Sequence, residues 1–165
     1  MIKPFSDNLL FMDAEFSSID PSKGEIISIA FVKPTGEELY LEIAYDPATL
    51  DDWVKEHVVP RLTGNTVPRS EAKQRIDDFL GNDHPYVVSH INHFDVTFFW
   101  RTFGLPAKLP TYDYWFPLDF ATLLFFSGID PRHYGREHKT DAHSALADAQ
   151  RLKASYDQLL GEING

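Results

Sequence analysis

Five side chains in three distant segments have the types and spacing to hold a divalent cation and to move a proton. In "NLLFMDAEFSS", residues 8–18, an apolar run leads into Asp13 and Glu15. Alternate residues of a strand share a face, so these carboxylates point together while Met12, Ala14 and Phe16 point the other way. Paired carboxylates repel, and burying them uncompensated is costly. Oxygen ligands in a chain without cysteine suit a hard ion such as Mg²⁺ or Mn²⁺. The simpler reading is a strand that has already ended, with both acids solvated in a loop. "HINHFDVTFFW" sets Asp95 at the start of an aromatic-rich helix directly after a strand. Alone it reads as a helix N-cap or first-turn acid favoured by the helix dipole. "DAHSALADAQ" sets His143 and Asp148 five residues apart at the start of the last helix. Ala145, Ala147 and Ala149 leave little bulk there, so the helix can approach a sheet closely. By itself this is the polar face of an amphipathic helix. Each bland reading suffices for one segment; the three in this order point to one shared site.

The elements that must position these residues can be read from pattern. Residues 8–13 form a first strand, and 25–45 a hairpin turning near Thr35 and Gly36. Residues 47–58 have helical spacing at Leu50, Trp53, Val54 and Val58, and 70–80 form a second amphipathic helix. A strand over 85–91, a helix over 95–104 closed by Gly104, a short strand over 115–119 and a last helix over 140–160 follow. A meander of strands followed by alternating strands and helices predicts an α/β fold with a central mixed sheet flanked by helices.

The 165 residues match one domain, expected to span 1–165. No run is long enough to cross a membrane and the N-terminal residues lack a secretory pattern, which predicts a soluble cytoplasmic protein. A net charge of −10 is badly suited to gripping long duplex nucleic acid. Short or single-stranded polyanions remain open to it, because bound divalent ions reverse the local field.

Asp13-Ala14-Glu15 on the opening strand, Asp95 at a strand-to-helix junction and His143 through Asp148 on the last helix resemble the three motifs of the DEDDh 3′–5′ exonucleases. That family has a ribonuclease H-like fold. Ser144 stands where the sister class carries tyrosine in its Y-x3-D motif. Two positions depart from the pattern: Phe16 replaces a common threonine, and His90-Ile91 replaces a common His-Asn pair. The "DAEF" start and "WVKEHVVPRL" (53–62) resemble more closely the small bacterial exoribonucleases of the RNase AS type, which act on adenylate-containing RNA.

The resemblance implies a 3′–5′ exoribonuclease that releases nucleoside 5′-monophosphates from single-stranded RNA with two Mg²⁺ or Mn²⁺ ions. Asp13, Glu15, Asp95 and Asp148 would be ligands and His143 the general base, whose ordinary pKa near 6.5 suits that task. Single-stranded DNA as substrate, or a binding module without catalysis, are the alternatives. Relatives often pair, so a homodimer is also expected. Candidate substrate contacts are Phe16 (a stacking ring, or equally a core aromatic), His90, and Arg136 in the basic loop 130–139 with Arg132 and Lys139. The cluster Phe94, Phe98, Phe99, Trp100 and Phe103 has core spacing. His90 and His93 lack the further soft ligands of a zinc site.

Overall fold

The computed structural model describes residues 3–104, 116–132 and 143–164. Six strands, β1 (Leu9–Phe16), β2 (Ile26–Val32), β3 (Glu38–Ile43), β4 (Thr66–Val67), β5 (Tyr86–Ser89) and β6 (Phe116–Asp119), form one sheet in the order β4-β3-β2-β1-β5-β6. β2 runs antiparallel to both β1 and β3, while β5 and β6 continue parallel to β1. The helices are α1 (Asp52–His57), α2 (Arg69–Leu80), α3 (Asn92–Phe103), α4 (Phe120–Phe126) and α5 (Ala145–Asn164).

β2 reads "IISIAFV" and is buried at every position, as expected of a strand covered on both faces. On one face, Leu10, Met12 and Ala14 of β1 join Ile29, Phe31 and residues of α2 and α3, among them Ile76, Val96 and Phe98. On the other, Leu9 and Phe11 join Val88, Phe120 and the inner side of α5. Ala145 and Ala149 are wholly buried there, so α5 lies close against β1 and β2; Ala147 is only half-buried. A third cluster seats α1 through Leu50, Val54 and Val58 on Ile27. Gly24 is needed by close approach: a Cβ there would stand 2.0 Å from the Ser18 carbonyl oxygen and 2.8 Å from the Phe98 ring.

Several boundaries differ from expectation for local physical reasons. β1 does not stop at residue 13 but runs through both acids to Phe16, because β2 pairs with it as far as Ile26. The segment 47–58 splits into a 3₁₀ turn over Pro47–Thr49, where Asp46 accepts from the Ala48 amide at 2.9 Å, and α1. β5 ends at Ser89 and α3 begins at Asn92, three residues early, with the Asn92 amide bonded to Asp119 at 3.0 Å. β4 was not expected; two residues on a sheet edge carry too little pattern to see. Within the last predicted helix, His143 and Ser144 precede α5, while 140–142 lie outside the described residues. No described helix is long and apolar enough to cross a membrane.

Candidate active site

β1 sits where the sheet changes from antiparallel to parallel pairing. β5 pairs with Leu9 to Phe11 and goes no further, so the carboxyl end of β1 has an open side. Ligand sites of α/β sheets form at such switch points, beyond the carboxyl ends of the strands. Asp13 and Glu15 project there on the face covered by α5, and Asp148 of α5 meets them. One carboxylate oxygen from each of the three lies within 4.8 Å of the others. The Ala14 amide, which has no partner in β5, donates to Asp95 Oδ1 at 3.0 Å. That bond ties the first turn of α3 to the end of β1, with Asp95 buried at 7% exposure.

Asp148 is held by the start of its own helix. Its Oδ2 accepts from the backbone amides of His143 at 2.9 Å and Ser144 at 3.2 Å. Its Oδ1 accepts from Nη1 of Arg151, one turn along the helix. His143 has φ +69°, a left-handed conformation that a non-glycine residue adopts at a cost and that clusters at functional sites. Its ring meets the edge of Trp53 at 4.8 Å, and Trp53 stacks on His57 at 4.6 Å. Trp53 is half exposed, since Leu50, Val54 and Val58 take the buried side of its segment.

The acids repel within a desolvated pocket. Burial, then Asp95, Asp148 and Glu15, push the Asp13 carboxyl well above its ordinary range. Burial and the same kind of repulsion raise Glu15 to about 8, against a lowering influence from Arg61. Burial raises Asp95 to about 8, partly offset by its backbone hydrogen bonds. Burial, helped by the Arg61 charge and opposed by Asp148, lowers His143 and so favours its uncharged ring. Three carboxylate oxygens in one half-buried cluster that resists its own negative charge are a fitting donor set for a hard divalent cation.

The structure thus brings Asp13, Glu15, Asp95, His143 and Asp148 together. Phe16 turns to the opposite face and packs on Phe98 at 4.5 Å between ring centres, the core role of the two open to it. Phe98 and Phe99 are core, and Phe94 is at the surface against His93. His90 lines a cavity with Asp13 and Asp148, whereas His93 is exposed and joins no group of potential metal ligands among the described residues. Arg136 and Lys139 lie outside the described residues, and Arg132 is paired with Asp130 at 2.8 Å. Pattern reading missed Trp53, Arg61 and Arg151. For Trp53 the signal was present, since it sits one position off the buried stripe of Leu50, Val54 and Val58.

A ribonuclease H-like sheet with an acidic centre at the end of its first strand defines a nuclease-type hydrolase. No family model matches the sequence. A 3′–5′ exoribonuclease of Mycobacterium tuberculosis is 30% identical over 148 residues, covering 85% of this chain and 86% of that protein. An oligoribonuclease of Hahella chejuensis is 32% identical over 88 residues, 45% of this chain and 48% of that protein. The zinc-bound form of the complex of E. coli exonuclease I with single-stranded DNA superposes with a TM-score of 0.63 at 18% identity, over 93% of this chain. This chain spans 40% of the length of that exonuclease I chain. The chain belongs to the DEDD family of 3′–5′ exonucleases.

Proposed function

We propose that this protein is a cytoplasmic 3′–5′ exoribonuclease, one nuclease domain over 1–165, that shortens single-stranded RNA by one nucleoside 5′-monophosphate at a time. The observation that carries this reading is the convergence of Asp13, Glu15 and Asp148 within 4.8 Å, with buried Asp95 hydrogen-bonded behind them. The named activity of the mycobacterial relative supports RNA as substrate.

In this reading Asp13, Glu15, Asp95 and Asp148 hold two divalent cations, Mg²⁺ or Mn²⁺. Such ions, when bound, neutralise charge on the phosphate and acidify the attacking water. His143, neutral and at the rim of the cluster, takes the proton of that water. The water oxygen bonds to the last phosphorus, the bond from phosphorus to the preceding O3′ breaks, and that O3′ takes a proton from solvent as the shortened strand leaves with a 3′-hydroxyl. Trp53, half exposed beside His143, offers its ring to the terminal base. Arg61, whose charge acts on both Glu15 and His143, meets a phosphate. Arg136 is retained as a phosphate contact from the basic loop. Pairing of two copies belongs to the reading as well, in keeping with exposed Phe5, Phe125 and Phe126; sedimentation at the mass of one chain removes it.

Single-stranded DNA is the second reading, favoured by the structural likeness to an exonuclease I complex with single-stranded DNA. Matched RNA and DNA oligomers with free 3′ ends, digested with Mn²⁺ and resolved at single-nucleotide steps, decide between them. RNA should be shortened stepwise and faster. Circular RNA cut as readily as linear RNA would remove the exonuclease assignment.

A further inference from the structure

Beside the acid cluster lies a cavity of about 110 Å³ lined by Asp13, His90, Phe120, Asp148, Arg151 and Ser155 among others. That is the liquid volume of roughly three or four waters. Two observations there are not used by the proposed chemistry. The first is the state of Asp148. Both lone pairs of its Oδ2 are taken by the amides of His143 and Ser144, so Oδ1 is the oxygen left for an ion. Arg151 Nη1 already donates to that oxygen. Among the described residues, Arg151 is the only cation hydrogen-bonded to any of the four acids. A divalent ion on Oδ1 would therefore meet a guanidinium charge at the same atom.

The second observation is His90. Its Nε2 is buried and has no hydrogen-bond partner. The Pro131 carbonyl, which only accepts, acts on the ring, and with Nε2 unpartnered it faces Nδ1; Nδ1 is then the N–H and Nε2 carries the lone pair. A buried acceptor without a donor is destabilising, and a guanidinium has five N–H donors of which one is spent on Asp148.

We propose that Arg151 has two positions: on Asp148 while no divalent ion is held, and inside the cavity on His90 Nε2 when one is. Arg151 is then a stand-in cation that steadies the acid cluster before loading and sets how readily the ion displaces it. The proposal rests on the metal reading of Asp13, Glu15 and Asp148. His90 acts through Arg151 rather than on substrate, a positioning role.

Calorimetric titration of the metal-stripped full chain with Mn²⁺ tests this. Arg151→Gln keeps a donor near Asp148 without the charge, and should bind Mn²⁺ roughly tenfold more tightly than wild type. Arg151→Lys keeps the charge and should stay within roughly twofold of wild type. His90→Asn keeps a donor near Pro131 and deletes the Nε2 acceptor; it should weaken Mn²⁺ binding roughly threefold in the wild-type background and leave it unchanged when combined with Arg151→Gln. Equal or weaker binding by Arg151→Gln overturns the stand-in role, and an equal His90→Asn effect in both backgrounds overturns the second position. If Arg151→Gln does not fold, unchanged affinity in His90→Asn alone overturns the proposal. A wild-type chain that takes up no Mn²⁺ overturns the metal reading together with this one; uptake that these substitutions leave unaltered overturns this one alone.

Discussion

Two buried carboxylate environments in this protein behave in opposite ways. Glu42, on β3, is 2% exposed, and its oxygens accept from the Thr63 amide at 2.6 Å, the Gly64 amide at 2.8 Å and the Tyr40 hydroxyl at 2.8 Å. Burial works to raise it, but these donors outweigh burial and hold Glu42 below the usual carboxylate range. At the end of β1, burial raises Asp13, Glu15 and Asp95, and the neighbouring acids raise Asp13 and Glu15 further. Burial is common to both, so burial alone does not mark a functional acid. The difference lies in compensation: Glu42 is satisfied by the fold, whereas the β1 cluster is left short of positive charge. A cluster that folding leaves frustrated is where a cation adds the most.

Substitutions can break this contrast. The largest effect is expected from Asp13→Asn, which removes a ligand and one of the repelling charges together. Hydrolysis should fall on the order of 10³-fold or more, while the metal-free protein melts higher than wild type near pH 8. A wild-type rate in single-turnover assays under saturating Mn²⁺ would dismiss the site. His143→Ala should lose on the order of 10²–10⁴ in rate yet still take up Mn²⁺ by calorimetry. Because burial lowers His143, the acid limb of the wild-type rate should have its midpoint at or below the ordinary histidine value, about 6.5. A limb centred well above that value would assign the base elsewhere.

Glu42→Gln sharpens the comparison from the other side. It sets an amide N–H₂ against backbone donors and should cost about 2–3 kcal/mol of stability, measured by urea unfolding. Activity well below the melting temperature should be unchanged; a matching loss of rate would place Glu42 in the machinery. The smallest effect is the pH dependence of the metal-free protein. Carboxyls raised in the folded state bind more protons folded than unfolded between about pH 4.5 and 8. Stability should therefore fall as pH rises through that window, and Mn²⁺ should flatten the slope. Glu42, lowered in the folded state, contributes stability that is lost only as pH drops below its unfolded value. Melting curves in chelator at pH 5.5 and 8.0 check the sign; a higher melting temperature at pH 8.0 would contradict the frustrated cluster.

The sequence by itself determined the alternation that puts Asp13 and Glu15 on one face, the strand-then-helix order that makes a mixed sheet, and the small residues at 145 and 149 that let the last helix close on it. These follow from periods of two and 3.6 and from side-chain volume, which are local properties. Tertiary structure alone decided the rest. That β1 runs through its acids depends on pairing with β2, and that Asp95 belongs to them depends on the Ala14 amide left open where β5 stops. Phe16 packs on Phe98 and Trp53 faces His143 because of how separate elements cross. Burial does the same for charge: Glu42 and Glu15 are the same residue type on either side of β2 in one sheet, and only the donors and acids folded around each pull their pKa values in opposite directions.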